Sequence, residues 1–227
     1  MIRSLRPVLF AAGVGVLLFG LFAGNAFSGA TALPKPAVDE QQTADKGSET
    51  VVFAGGCFWG IQAVFEHIKG VTKTTAGFSG GNAKSPSYED VSSGETGHAE
   101  SVEVVYDPSQ VRFGQLLQVF FSVAHDPTEL NRQGPDEGTQ YRSAIFYETP
   151  DQQHIAQAYV DQLTQAKAFS HSIVTQILPF KAFYRAEDYH QDFALHNPGN
   201  MYIMINDAPK VSNLKKQFPD LYANYPR

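Results

Sequence analysis

Cysteine is almost missing from this chain: of 227 residues only Cys57 carries a thiol. One thiol excludes an intrachain disulfide, a cysteine-rich zinc site, an iron–sulfur cluster and a CxxC redox pair. Basic residues are also short, 17 Lys and Arg against 23 Asp and Glu, for a net charge of −6. That balance argues against a nucleic-acid binder, which carries a basic surplus or stripe. Charged residues make up 18% of the chain and hydrophobic ones 43%, so it is neither disordered nor collagen-like. Internal repeats and low-complexity tracts are absent. What remains is long enough to bury a sizeable core without staples.

The N-terminus reads as an address. Arg3 and Arg6 precede an almost wholly apolar run, residues 8–24, and no further charge appears before Lys35. With Ala30-Thr31-Ala32 behind it, this arrangement fits a secretory signal peptide cut after Ala32. The same run is close to the length that spans a bilayer, so an uncleaved anchor that contacts the membrane is the other reading. Either way the expectation is an exported protein, periplasmic or extracellular, or one anchored by residues 8–24. A lipoprotein signal would need a cysteine at the cut, and a mitochondrial presequence would be Arg-rich and amphipathic. Residues 33–50, rich in Pro, charge and small polar side chains, read as a flexible linker. The globular domain is expected over 51–207, with 208–227 as a polar tail on its surface.

Within the domain, Thr50–Ala54 reads as a short buried strand broken by Gly55 and Gly56. Phe58, Ile61, Phe65 and Ile68 share one face of a helix opened by Cys57 and closed by Gly70. Residues 76–98, rich in Gly and Ser, read as a long loop. Val102, Val104 and Tyr106 alternate with polar positions in a half-buried strand that Asp107-Pro108 stops. Phe113, Leu116, Leu117, Phe120, Phe121 and Ala124 trace a second helical face. Residues 125–142 read as a second long loop, then a strand over 143–148. Thr149 and Pro150 cap a helix that shows Ile155, Tyr159 and Leu163 on one side. A strand over 173–178 and a short helix over 187–195 follow. Four strands with helices packed on them predict an α+β fold with a ferredoxin-like sheet and long functional loops.

Cys57 is the sharpest chemical feature. At a strand-to-helix junction it meets unpaired N–H groups and the positive end of the helix dipole. A thiol there is expected to have a lowered pKa and to act as a nucleophile; the competing reading is a buried structural cysteine among core aromatics. His98-Ala99-Glu100 has the HxE spacing of zinc deaminases, but the PCxxC pair they need is missing, so no metal site is expected. Glu100 reads either as a buried carboxylic acid that donates a proton or as an ordinary strand-end glutamate. Tyr88 in the first loop and Tyr141 in the second can supply hydroxyl donors to a developing oxyanion, or simply pack. Asp136 shares the second loop with Tyr141. His125-Asp126 is weak as a metal signal, and His190 and His196 read as surface or loop residues.

Taken together, Gly55-Gly56-Cys57-Phe58-Trp59-Gly60, Ser92-Ser93-Gly94-Glu95-Thr96-Gly97-His98-Ala99-Glu100 and Tyr106-Asp107-Pro108 resemble the peptide methionine sulfoxide reductases of the A type, MsrA. So do His125-Asp126-Pro127, Gly138-Thr139-Gln140-Tyr141-Arg142-Ser143 and Ala186-Glu187-Asp188-Tyr189-His190-Gln191. The resemblance runs in order over about residues 51–205. It implies an MsrA-like catalytic domain that reduces methionine sulfoxide of the S configuration at sulfur, free or in proteins and peptides, with no bound cofactor. Cys57 would be the nucleophile, and Glu100 would stay protonated to give its proton to the sulfoxide oxygen. Tyr88 and Tyr141 would hydrogen-bond that oxygen, Phe58 and Trp59 would seat the ε-methyl group, and Asp136 would position the site.

Many relatives carry further cysteines near the C-terminus that form a disulfide with the oxidised nucleophile. The corresponding stretch here, Asn197-Pro198-Gly199-Asn200-Met201-Tyr202, has none. An external thiol, thioredoxin-like or glutathione with glutaredoxin, would therefore resolve the sulfenic acid. Two other readings compete: a different one-cysteine thiol enzyme, which for acyl transfer would want a histidine near Cys57, and a non-catalytic domain that binds oxidised or methionine-rich segments.

Overall fold

The computed structural model describes residues 33–42, 44, 47–82, 84 and 86–224; the apolar run 8–24 and the expected cut after Ala32 lie outside them. In chain order the elements are β1 (Glu49–Gly55), α1 (Phe58–Glu66), β2 (Val71–Ser79), α2 (Tyr88–Ser92), β3 (Ala99–Tyr106) and α3 (Phe113–Val119), the last running on into a π turn, Phe120–Ala124. A small hairpin follows, β4 (Arg132–Gln133) and β5 (Asp136–Glu137), then a 3-10 turn, Thr139–Tyr141. The second half holds β6 (Ser143–Tyr147), α4 (Pro150–Gln165), β7 (Gln176–Pro179), β8 (Phe183–Arg185), α5 (Phe193–His196), a π turn at Ile203–Asp207 and α6 (Ala208–Gln217).

The main sheet has the order β7-β6-β1-β3-β2-β8. Its central four strands, β6-β1-β3-β2, with α1 between β1 and β2 and α3 before β6, make the expected ferredoxin-like α+β unit. Every pair in that unit is antiparallel. The sheet is mixed because β7 runs parallel to β6, and α4 is the crossover such a pairing requires.

One of the four central strands differs from the expectation. β2 falls where a loop was expected from residue 76, and the strand expected over 173–178 becomes the parallel edge strand β7. Gly77, Ser79 and a lysine make β2 a weak strand on paper. In the fold its second half is buried on both faces, and a Cβ on Gly77 would lie 2.3 Å from the Tyr184 carbonyl of β8. The glycine that hides the strand in the sequence is what lets β8 approach.

The larger core lies on one face of the sheet. Phe53 stacks on Phe65 of α1 at 4.9 Å and on Phe120 at 4.7 Å, and the expected faces of α1, α3 and α4 are all buried there. A smaller cluster, Val52, Ala54, Ala99, Ala144 and Phe146, is covered on the other face by Leu178, Phe180 and Phe183.

Two segments expected outside the domain, the linker and the surface tail, are built into it. Residues 33–40 form a strap rather than a loose linker. The Asp39 and Glu40 carboxylates accept from the backbone N–H groups of Gly114 (2.8 Å) and Phe113 (2.7 Å), where the N-terminus of α3 favours negative charge. The carbonyls of Leu33 and Pro34 accept from Gln118 and Tyr159. The stretch expected as a surface tail contains α6, which buries Leu214 completely, with Phe218 buried just beyond it. Among the described residues no helix is long and apolar enough to cross a membrane.

Candidate active site

Cys57 is the N-cap of α1, and the two glycines before it shape the site. Gly56 has φ +96°, and a Cβ there would stand 2.5 Å from Gln133 Cβ. Glycine thus lets the second loop close against the β1–α1 turn. Gln133 is fixed in turn, accepting from Asp126 N at 3.0 Å and donating to Asp126 O at 3.0 Å. Gln133 ends the first strand of the small hairpin, Asp136 stands opposite it in the second, and the turn after them carries Tyr141.

Glu100 lies in β3, at the register position opposite Phe78 of β2, and is 2% exposed. One carboxyl oxygen accepts from Phe58 N–H at 3.0 Å, filling an orphan donor of the α1 N-terminus. Because Phe58 directly follows Cys57, this bond sets the carboxyl beside the thiol, and each group acts on the ionisation of the other. Burial, with the Asp136 and Asp207 charges adding to it, pushes Glu100 up to about 8 against the pull of Phe58 N–H and Cys57. Glu100 is therefore mainly a neutral acid at pH 7.

The Cys57 thiol does not follow expectation. It is 8% exposed, and burial, followed by the Glu100 and Asp207 charges, pushes it well above the ordinary thiol value. The Trp59 N–H and the Lys210 charge pull the other way and lose. The helix N-terminus is present, but desolvation of the sulfur outweighs it. In the resting site both the thiol and the carboxyl hold their protons.

The other expected side chains gather here. Tyr88 opens α2, fixed by a Ser87–Asp90 capping box and by its own N–H to Glu187 at 3.0 Å; its ring lies 6.3 Å from Phe58. Burial, then the Glu100 charge, raises the Tyr88 phenol, and the same two causes raise Tyr141. Both hydroxyls thus stay protonated on the side of the site that Glu100 occupies. Asp136 accepts a hydrogen bond from the Tyr202 hydroxyl.

Several members of the site were not found from the sequence. His190 is buried, not a surface residue: its Nδ1 accepts from the Trp59 indole at 3.2 Å, and its ring lies 4.3 Å from Tyr88. Phe193 stacks on Trp59 at 3.9 Å, and Tyr202 meets it edge-on at 5.9 Å. Asp207 and Lys210 arrive from the C-terminal arm. Two of these had a signal: His190 in the family-like run 186–191, and Tyr202 as the last residue of the cysteine-free stretch.

Histidine chemistry at Cys57 finds no support. His125 is buried and held low, to about 4, chiefly by burial; its nitrogens go to Phe120 O and Ser143 Oγ. His190 spends Nδ1 on Trp59. What the arrangement can do is deliver a proton from Glu100 to an oxygen held by two phenols, while the Cys57 sulfur attacks the atom bearing it.

Residues 49–222 match the family described as peptide methionine sulfoxide reductase. The chain is 60% identical over 185 residues to the Mesorhizobium japonicum peptide methionine sulfoxide reductase MsrA 2, covering 82% of this chain and 95% of that one. It is 52% identical over 190 residues to the Synechocystis MsrA 2, covering 83% and 89%. Among solved structures it resembles methionine sulfoxide reductase A of Corynebacterium diphtheriae, with TM-score 0.58 and 40% identity over 74% of this chain and 84% of that one. It also resembles reduced Mxr1 of Saccharomyces cerevisiae, with TM-score 0.62 and 31% identity over 70% and 91%. With the thiol, the buried acid and the paired phenols in one place and these likenesses beside them, the chain belongs to the A-type branch of the peptide methionine sulfoxide reductase family.

Proposed function

We propose that this protein reduces methionine sulfoxide of the S configuration at sulfur to methionine, in peptides and proteins and as the free amino acid. The observation that carries this reading is the placement of buried Glu100 against the N-terminus of α1, its carboxyl held by Phe58 N–H next to the N-cap Cys57. A sulfoxide oxygen is a strong acceptor and a poor leaving group, so attack on sulfur needs a proton delivered to it. Glu100 gives that proton while Tyr88 and Tyr141 hold the oxygen. The Cys57 sulfur attacks the substrate sulfur, and the thiol proton passes to the Glu100 carboxylate left beside it. The oxygen ends on Cys57 as a sulfenic acid and methionine leaves, so Cys57 gives up the two electrons that the substrate gains. Phe58 and Trp59 offer the methyl group an apolar seat on one side of the sulfur, which selects one epimer.

Cys57 is the single cysteine of the chain, so the sulfenic acid is resolved from outside. One external thiol forms a mixed disulfide and releases water, and a second thiol frees Cys57. A thioredoxin-like protein and glutathione with glutaredoxin both supply this chemistry. Residues 1–32 serve as an export signal or an anchor, a reading supported by Arg3, Arg6 and the apolar run 8–24. Cutting after Ala32 keeps Leu33, which donates its N–H to Ser122 Oγ and accepts at its carbonyl from Gln118. A mature N-terminus at Leu33, read by mass spectrometry, supports cleavage, and an intact Met1 supports the anchor.

The test is incubation with a peptide containing methionine sulfoxide and dithiothreitol. Loss of one oxygen, about 16 mass units, confined to the S epimer is the expected result. Equal loss from both epimers, or activity that survives Cys57→Ser, overturns the reading.

A further inference from the structure

Gly60 lies in the first turn of α1, three residues beyond Cys57. A Cβ there would stand 2.1 Å from Asp207 Oδ1 and 2.8 Å from Lys210 Nζ. The missing side chain leaves a cradle, and an ion pair from the C-terminal arm fills it. Lys210 Nζ lies 3.1 Å from Asp207 Oδ1; the Asp207 side chain is fully buried and that of Lys210 is 17% exposed. Among the described residues, Asp207 Oδ2 has no hydrogen-bond partner. An ion pair withdrawn from water this far is weak as a source of stability, which makes its position beside Cys57 the feature to explain.

Cys57 is surrounded by groups that are neutral or anionic. Glu100 faces it from β3, Asp207 and Tyr202 from the C-terminal arm, and Tyr88 and Tyr141 from the two loops. Asp136 adds a further carboxylate that acts on Glu100. Against these the Lys210 charge acts on Cys57 in the opposite sense, and on Asp136 as well. A sulfur in this setting cannot take on negative charge without a cation close by.

We propose that Lys210 is the positioning residue for the anionic form of Cys57: clamped by Asp207 in the cradle of Gly60, its ammonium balances the charge the sulfur takes on as it attacks. This inference rests on the reductase reading of the site, and its test does not use reductase activity.

The readout is the rate of Cys57 carboxamidomethylation by iodoacetamide as a function of pH, in the intact chain. Lys210→Met is expected to react about tenfold more slowly at a pH below both midpoints, with the high-pH plateau unchanged, and Lys210→Arg to restore the profile. Asp207→Asn removes an anion from the same cradle and is expected to move the midpoint down, opposite to Lys210→Met. A merely structural role cannot produce opposite signs from the two partners of one ion pair. The inference is overturned if Lys210→Met and wild type share one profile, if Lys210→Arg behaves as Lys210→Met, or if Asp207→Asn does not lower the midpoint. Should Lys210→Met not fold, Lys210→Gln takes its place, and a Lys210→Gln profile that coincides with wild type overturns the inference. A wild type that shows the expected pattern but leaves methionine sulfoxide unreduced overturns the reductase reading and leaves the relation between Lys210 and Cys57 standing.

Discussion

The hydroxyl of Tyr202 donates a hydrogen bond to Asp136, and this contact ties the C-terminal arm to the second loop of the active site. The Tyr202 ring also meets Trp59 edge-on, so one residue holds both Trp59 and the loop that carries Tyr141. Tyr202→Phe keeps the ring and removes the bond. A hydrogen bond to a charged group contributes about 1.5–3 kcal/mol, so kcat/KM for a methionine sulfoxide peptide is expected to fall about tenfold or more, chiefly through KM. Steady-state kinetics with dithiothreitol check it, and an unchanged kcat/KM would show that the arm and loop stay in place without this contact.

Glu100→Gln keeps a hydrogen-bonding group beside Phe58 N–H but has no acidic proton. The chemical step is expected to slow by about 10²–10⁴-fold with KM nearly kept. In the wild type, turnover should fall as pH rises through about 8, because the acid form of Glu100 is lost there. The linked effect on stability has the same direction. The folded-state pKa lies above the unfolded value, so the stabilisation from this proton is complete below about 4.5 and disappears as pH rises through about 8. Thermal unfolding at pH 6 and pH 9 should therefore differ less in Glu100→Gln than in wild type.

Gly56→Ala tests the closure of the second loop. The φ of +96° is strained for alanine, and the new methyl would overlap the Gln133 side chain. A loss of about 1–3 kcal/mol is expected in urea unfolding. Activity should drop further than stability explains, since Asp136 and Tyr141 move with the displaced loop.

Leu214→Ala tests the docking of α6. Leu214 is fully buried in the larger core, and removing such a side chain costs about 2–5 kcal/mol. A surface tail would tolerate the change, so an unaltered melting temperature would contradict the packing of α6.

The helical faces of α1, α3 and α4 were legible because their apolar residues repeat at helical spacing and bury one continuous stripe. β2 was not legible, because its glycine and polar residues are explained only by the close approach of β8. Cys57 and Glu100 stood out by residue type and local motif. Phe193, Asp207 and Lys210 did not, because each acts on Trp59 or Cys57 from more than a hundred residues away in the chain.

The sequence by itself singled out Cys57 by residue type and place, assigned parts to Glu100, Tyr88 and Tyr141 through the family resemblance, and placed three of the four central strands and the three long helices by periodicity. The tertiary structure decided the protonation of the pair and the charge around it. Whether a thiol beside a helix N-terminus ionises depends on how deeply the sulfur is withdrawn from water and on which distant carboxylates and ammonium groups share its cavity. Here burial and the Glu100 and Asp207 charges outweigh the helix end and Lys210, a balance set by three-dimensional distance and not by position along the chain.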